Sequence, residues 1–290
     1  MDFGTHALLK KYLGTFKENH SLLVQFDINP DFMDYFENLL AELDGMPNLK
    51  MKIKKMKNSS EWESTFSELE FARKLKELNP EFVRTKGSPT PDIKANILGE
   101  DVYFEVKMLV ENDAASRVDH EILKIESDLI VRIDYGNYET FDNGKADRLI
   151  EFIRTKISAK EIGFHSFEDT EIEITKKTSA KTKRTELKTS CSFAISMESI
   201  RKKVFNDFNK KLNQFESCNP IFWVIDCQKW QYSTDCFASI VNGLFLLKEA
   251  KCLNGVIAIV HDYPHLLINP FAKQQLGSES IRKLNELFHK

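Results

Sequence analysis

The chain has 290 residues, 42% of them hydrophobic, and carries 41 basic against 44 acidic side chains, a net charge of −3. This composition is typical of an ordered globular protein with a large core, and it excludes a uniformly basic nucleic-acid coat. No apolar run approaches the ~18 residues of a membrane span, and the first residues lack a signal-peptide pattern. We therefore expect a cytoplasmic protein with no membrane partner.

The cysteine pattern argues against two further kinds of site. Their number is odd, no two form a C-x-x-C pair, and no histidines cluster near them. This spacing argues against both a zinc site and a disulfide framework. Free thiols in a reducing compartment are expected at Cys191, Cys218, Cys227, Cys236 and Cys252.

The first part of the chain, residues 1–57, has the spacing of helices. An apolar stripe that includes Phe32, Phe36 and Leu39 ends before Gly45-Met46-Pro47, which is a stop signal. We expect this N-terminal helical extension to pack against the core, and a homodimer interface is the alternative. A run of lysines from Lys50 to Lys57 follows, either as a solvated face or as a contact for a phosphate backbone.

A second helix is predicted from Ser60 to Leu78, with apolar residues three and four apart. Glu68 lies on the apolar side of this helix. A buried carboxylate costs free energy unless it meets a cation or a metal ion. Glu68 therefore either pairs with a lysine or faces the segment that follows as an acidic ligand, and we favour the second interpretation.

That segment predicts a β-hairpin with strands Ile93–Leu98 and Asp101–Leu109 around a Gly99-Glu100 turn. In this register Leu98 lies opposite Asp101 and Asp92 lies opposite Lys107. Glu105 is then a diagonal neighbour of Asp92, roughly 7–8 Å away. Because side chains alternate along a strand, Glu105 and Lys107 share one face.

Two converging carboxylates are hard oxygen ligands suited to Mg²⁺. A lysine beside them can position an attacking water or offset charge on a phosphate in the transition state. The alternative is a solvent-facing strand with an ordinary cross-strand ion pair. Context decides between the two.

Residues 111–196 have an organisation of their own, with predicted strands at Leu129–Asp134 and Glu171–Thr175 and a helix at Lys145–Ile157. A polar, basic stretch from Thr175 to Thr189 follows, and its composition predicts a loop or hairpin. It is either a loop without a partner or a clamp on a polyanionic substrate. The candidate substrate-binding residues are Lys181, Lys183 and Arg184.

Downstream, Met197–Phe215 predicts an amphipathic basic helix. Two nearly continuous apolar runs predict central strands that are covered on both faces. They are Pro220–Asp226 and Gly255–His261. A helix at Asp235–Ala250 separates them. Such a strand–helix–strand unit is typical of an α/β sandwich.

Taken in order, Glu68 on a helix, then Pro91-Asp92, then Glu105-Val106-Lys107 resembles the PD-(D/E)xK nuclease superfamily. That resemblance implies a restriction-endonuclease-like α/β core, a mixed central sheet flanked by helices, with Phe82–Thr85 as its first strand. It also implies an N-terminal helical extension (1–57), a core from 58–110 and 197–290, and an insertion after the third core strand (111–196).

The resemblance further implies that Asp92 and Glu105 bind the metal, that Lys107 is the catalytic lysine and that Glu68 assists at the metal or its water. We therefore expect a Mg²⁺-dependent endonuclease, in which Mn²⁺ can substitute, acting on DNA in preference to RNA. A ribonuclease with the same site stays open, because the metal chemistry does not depend on the 2′-hydroxyl. A non-catalytic nucleic-acid- or protein-binding module on the same fold is the alternative from another class.

Overall fold

The computed structural model describes residues 3–14, 16, 20–58, 61–84, 89–109, 112–177, 185–191, 196–227, 234–260 and 262–288. Within these residues the α-helices are α1 (Ala7–Leu13), α2 (Ser21–Ile28), α3 (Pro30–Leu43), α4 (Leu49–Lys55), α5 (Trp62–Lys74), α6 (Asp113–Leu123), α7 (Asn143–Ser158), α8 (Met197–Ser217), α9 (Thr234–Phe245) and α10 (Ser278–Phe288). Short 3₁₀ helices cover Lys76–Leu78, Tyr138–Thr140 and Glu249–Cys252. No helix in the described part of the chain is long and apolar enough to cross a membrane.

Ten strands complete the described structure: β1 (Glu81–Phe82), β2 (Ile93–Ile97), β3 (Glu100–Met108), β4 (Leu129–Asp134), β5 (Gly163–Phe167), β6 (Thr170–Lys176), β7 (Glu186–Ser190), β8 (Ile221–Asp226), β9 (Gly255–Val260) and β10 (Tyr263–Ile268). They form two mixed sheets. The chain is therefore an α/β protein, as its pattern predicts.

The chain divides into two compact units, each discontinuous in sequence. Unit 1 comprises Met1–Ala7, Gly14–Phe36 and Val110–Ser199, and unit 2 comprises Leu8–Leu13, Glu37–Leu109 and Ile200–Lys290. The predicted insertion, 111–196, falls within unit 1. The predicted N-terminal extension contributes residues to both units.

Unit 1 is built on a four-stranded sheet in the order β5-β6-β4-β7. The pair β4–β7 is parallel, and the other pairs are antiparallel. One face of the sheet is buried under α6 and α7, where Val118, Ile122, Leu149 and Ile153 lie in a core with Val131 and other apolar strand residues. This one-sided burial is typical of a sheet whose strands alternate between apolar and polar side chains.

Unit 2 is built on a six-stranded sheet in the order β1-β2-β3-β8-β9-β10. The central strands β3, β8 and β9 run parallel, and the strands at both edges are antiparallel. All residues of β8 and β9 are buried, since helices cover both faces. Aromatic contacts identify these helices: Phe71 of α5 lies against Phe104 on one face, and Phe208 and Phe215 of α8 lie against Trp223 on the other.

The β2–β3 hairpin is present, but its predicted register is wrong by two residues. Asp101 pairs with Asn96 instead of Leu98, so Leu98 and Gly99 are the central turn residues. Both have positive φ, 52° and 91°, which is the requirement of the tight turn that matches the twist of a hairpin. A shift of two preserves which side chains share a face, so Glu105 and Lys107 stay together, but Asp92 no longer lies opposite Lys107.

Other element boundaries differ by smaller amounts. The first core strand, predicted at Phe82–Thr85, is the shorter β1 at Glu81–Phe82. The helix predicted at Asp235–Ala250 begins at Thr234 and ends at Phe245, and a 3₁₀ helix follows it. None of the five cysteines, all within the described residues, forms a disulfide.

A candidate active site of carboxylates and lysines

Asp92 is held by the main chain at the start of β2. Its amide donates to the carbonyl of Phe104 (3.1 Å), and its own carbonyl accepts from the amide of Val83 (2.9 Å). Its side chain takes the place of a main-chain acceptor, because Oδ2 accepts from the amide of Val106 (3.0 Å). These bonds fix the carboxylate beside β3, because they join Asp92 to Phe104 and Val106, the two residues that flank Glu105.

Lys52 joins Asp92 to Glu68. It belongs to the apolar side of α4, where Leu49 and Ile53 are buried beside it. Its ammonium lies 2.8 Å from Oδ1 of Asp92 and also pairs with Glu68, and its side chain is 3% exposed. Glu68 thus faces inward from α5, as its helical position predicts, but in this structure its nearest cation is a lysine.

Glu105 is buried on the other face of the sheet, where Lys211 of α8 pairs with its Oε1. The residue is 1% exposed. Its second oxygen, Oε2, is buried and has no hydrogen-bond partner in the described part of the chain. An unpartnered buried acceptor is costly, so this oxygen marks a place that a donor or a cation would stabilise.

Lys107 lies two residues further along β3, on the same face as Glu105, and is half-buried. In the register with β8 it pairs with Ile225. Among the described residues no ion pair or hydrogen bond of its ammonium is present, in contrast to Lys52 and Lys211. Its amine is therefore available to a ligand beside the carboxylates.

The end of β8 adds one more acid to this region. Asp226 pairs with Met108 across the sheet, and its side chain accepts a hydrogen bond from the hydroxyl of Ser67. Ser67 precedes Glu68 on α5. The contact ties the helix that presents Glu68 to the strand that neighbours β3.

The electrostatics of the cluster separate its three carboxylates. Burial and the charge of Asp92 raise the pKa of both Glu68 and Glu105 to about 8, against the opposing effect of Lys52 and Lys211 respectively. Burial acts in the same direction on Asp92, but Lys52 and Lys211 outweigh it and hold the pKa of Asp92 below its usual value. Asp92 is thus the fixed anion of the cluster, and the two glutamates are protonatable near neutral pH.

The lysines respond to the same charges. Burial would lower the pKa of Lys52, but Asp92 and Glu68 outweigh burial and raise the pKa above its ordinary value. Lys52 therefore stays charged and compensates two carboxylates at once. When all three carboxylates are ionised, above the pKa of about 8 of the two glutamates, they exceed the two paired ammonium groups by one negative charge.

The donor set can be compared with what Mg²⁺ requires. Among the residues that the structure describes, no group of three or more His, Cys, Asp or Glu side chains forms a ready metal site. Carboxylate oxygens are nevertheless the ligands that Mg²⁺ prefers, and Oε2 of Glu105 is an acceptor without a partner. Asp92 and Glu105 therefore fit a divalent cation that takes over the charge compensation now given by the ammonium groups.

The sequence does not predict the two lysines that pair with the carboxylates, Lys52 and Lys211. The predicted substrate-binding residues lie outside the described residues. In the sequence Lys52 is one of a run of lysines, although its spacing from Leu49 and Ile53 places it on the buried side of α4. Lys211 is one of several basic residues on the predicted helix Met197–Phe215, and the pattern does not distinguish it from the others. The predicted substrate-binding residues fall in the segment 178–184, outside the described residues: Lys181, Lys183 and Arg184.

No protein-family model matches this chain, and neither a curated protein nor a solved structure matches it.

Proposed function

We propose that the protein is a metal-dependent nuclease that hydrolyses phosphodiester bonds, with DNA as its substrate and endonucleolytic action. The observation that carries this proposal is the unpartnered, buried Oε2 of Glu105 in a cluster with Asp92, whose pKa is lowered, and with the available amine of Lys107 on the same face. An ordinary surface ion pair, the alternative for this pattern, does not account for a carboxylate that is 1% exposed.

We also propose that unit 2 is a restriction-endonuclease-like core. The chain order supports this assignment, since α5, the strands β1, β2 and β3, the helix α8 and the strand β8 follow one another as helix, three strands, helix, strand. Unit 1 contains the residues between β3 and α8. The four motif positions, Glu68, Asp92, Glu105 and Lys107, all lie in unit 2.

In this proposal Asp92 and Glu105 would hold Mg²⁺, or Mn²⁺ in its place. When bound, the ion polarises a phosphate oxygen and lowers the pKa of a water molecule. Lys107 positions the attacking water or offsets negative charge on the phosphate. Glu68, with a pKa of about 8, can accept or hold a proton near neutral pH. Lys52 keeps Asp92 and Glu68 in place.

The decisive experiment is a cleavage panel of single- and double-stranded DNA and RNA with Mg²⁺, Mn²⁺ or EDTA. We expect divalent-dependent cleavage that Asp92→Asn abolishes and that Lys107→Ala slows by about 100- to 1,000-fold, the effect of losing one transition-state donor. Matched controls come from the same hairpin, Asp101→Asn and Lys94→Ala, where the exposed Asp101 forms an ion pair with the half-buried Lys94. Such pairs contribute little to stability, so both controls should cleave at the wild-type rate.

A specific observation favours a second candidate. Lys52 and Lys211 already compensate the carboxylates, which is an arrangement that a non-catalytic nucleic-acid- or protein-binding module could keep without a metal. That candidate predicts no cleavage of any substrate in the panel. It also predicts that the heat of titrating Mg²⁺ or Mn²⁺ is the same for the wild type and for Glu105→Gln, whereas a metal site at Glu105 predicts loss of binding in the variant.

A further inference from the structure

An open groove of about 860 Å³ lies in unit 2 between α1, α4 and the segment after β1. Its polar walls carry four basic side chains and one acidic side chain: Lys11, Lys50, Lys54, Arg84 and Asp44. Asp44 is neutralised within the groove, because it accepts from Lys11 (2.7 Å) and from the hydroxyl of Tyr12 (2.6 Å). The groove therefore keeps a positive charge.

The remaining cations of the groove are available to a ligand. Lys50 and Lys54 are exposed, and among the described residues neither ammonium has an ion pair or a hydrogen bond. Arg84 uses its Nε to donate to Oδ1 of Asn48 (2.7 Å). That bond fixes the guanidinium and uses one of its donors, and a guanidinium carries five N–H donors in all.

The spacing of Lys50 and Lys54 also favours an anion. Residues four apart lie on the same side of a helix, and two like charges there repel each other. The groove lining contains one acidic side chain, Asp44, and Asp44 is already paired with Lys11. It therefore does not compensate Lys50 and Lys54. Phosphates bound beside each of the two ammonium groups would offset this repulsion.

The groove is joined to the carboxylate cluster by two short routes. Along α4, Lys52 lies about 200° around the helix from Lys50, at about 100° per residue, so one side of the helix faces the cluster and the other faces the groove. Along the chain, Arg84 follows Val83, whose amide donates to the carbonyl of Asp92. The groove and the cluster are thus about one helix diameter apart, roughly 10–12 Å.

We propose that this groove binds the phosphodiester backbone of a nucleic acid, with Lys50, Lys54 and Arg84 each contacting a phosphate. The proposal rests on the nuclease function proposed above, and it assigns a substrate-binding surface to that site. Phosphates of one strand follow each other every ~3.4 Å along a duplex axis. Because α4 lies between the groove and the carboxylates, a strand in the groove has to pass around this helix to reach them.

The test measures binding without cleavage. Full-length Asp92→Asn protein in EDTA is titrated into fluorescently labelled duplex DNA, single-stranded DNA and RNA, and anisotropy is followed from 50 to 200 mM salt. Loss of three duplex phosphate contacts reduces the slope of log K against log salt by about 2.7. Between these salt concentrations the Asp92→Asn protein should therefore lose about 40-fold more affinity than the same protein carrying K50A, K54A and R84A.

Two further variants make the result specific to the groove. The charge-retaining set K50R, K54R and R84K should keep the salt slope, which shows that charge and not folding was removed by the alanine set. A matched set of exposed lysines that do not line the groove, Lys248, Lys251 and Lys273, is changed to alanine as the control for net charge. An equal loss of slope in this control set overturns the proposal, as does an unchanged slope in the groove set.

Competition separates nucleic acid from other polyanions. An unlabelled oligonucleotide should displace the probe at far lower concentration than inorganic phosphate or polyglutamate of equal charge, and equal displacement by polyglutamate contradicts the assignment. The two proposals also fail separately. Slope-sensitive binding without any cleavage by the wild type overturns the nuclease function alone, whereas cleavage with an unchanged salt slope in the groove set overturns the groove alone.

Discussion

Glu105 is placed beside Asp92 and Lys107, but its burial lowers the stability of the fold. It shares a face of the sheet with Trp223, its partner in the parallel register, and only Oε1 is paired, with Lys211. Leaving a buried acceptor without a partner costs about 1–3 kcal/mol. A residue chosen for stability alone would not be a glutamate here, which agrees with a role in binding.

This environment predicts a pH dependence of stability. Because the pKa of Glu105 and of Glu68 is raised from 4.5 to about 8 in the folded state, the folded chain holds more protons than the unfolded chain between these values. The free energy of unfolding should therefore fall as pH rises from about 4.5 to about 8. Asp92 acts in a separate window, since its lowered pKa removes stability only as pH falls below its usual value.

Urea denaturation of the wild type and of Glu105→Gln in EDTA measures this effect. The variant should lose less stability over the same pH interval, because one of the two glutamates with a raised pKa has been removed. Glu100→Gln, a half-buried glutamate at the start of the same strand, serves as the control and should follow the wild type. Equal pH profiles for wild type and Glu105→Gln would show that Glu105 ionises normally.

At the scale of the element, the β2–β3 turn contains a local conflict. Leu98 has a φ of 52° and is 64% exposed, although the left-handed conformation costs an L-residue with a bulky side chain about 1–2 kcal/mol. Asparagine adopts this conformation more readily, and Asn-Gly is the preferred pair for this turn.

Leu98→Asn should therefore raise the free energy of unfolding by about 1 kcal/mol, measured by urea denaturation at constant pH. The control is Leu246→Asn, since Leu246 is 75% exposed and its φ is not positive. The control should change stability little. A loss of stability in Leu98→Asn would mean that the leucine side chain contributes a contact that outweighs the backbone strain.

The elements with strong periodicity could be predicted from the sequence. β4 begins and ends where its alternating pattern predicts, at Leu129 and Asp134, and the apolar runs of β8 and β9 are buried central strands. The edge strand β10 was missed because its sequence, YPHLLI, contains a proline, which only an edge position tolerates. The hairpin register was missed because nothing in the sequence indicates that Leu98, and not Glu100, takes the positive φ.

At the scale of the whole molecule, some residues of the site lie close together in the sequence and others lie far from them. Glu68, Asp92, Glu105 and Lys107 fall within one helix and one hairpin. The periodicity of the helix and of the strand places three of them, and the fourth, Asp92, depends on the hairpin register. Lys52 and Lys211 lie on helices outside this segment, and their ion pairs depend on how α4 and α8 pack on the sheet. Sequence patterns show which side of a helix is apolar, but they do not show which acid a buried lysine will meet.

If Asp92 and Glu105 bind a metal, the ion must stabilise the folded state as a whole. A ligand that binds only the folded chain adds about 2.7 kcal/mol at a concentration of 100 times its Kd, which corresponds to a rise in Tm of roughly 4–5 °C for a chain of this size. We expect Mg²⁺ or Mn²⁺ to raise the Tm of the wild type and of Asp101→Asn but not that of Asp92→Asn. An equal rise in all three proteins would place the ion elsewhere.

The chain between β3 and α8 also sets a time delay during synthesis. Lys211 follows Glu105 by 106 residues, and ribosomes add about 5–20 residues per second. Lys211 is therefore made roughly 5–20 s after Glu105. During this interval the nascent chain has its acidic cluster without the lysine that pairs with Glu105, so a chain that stalls or is released early cannot assemble the complete site.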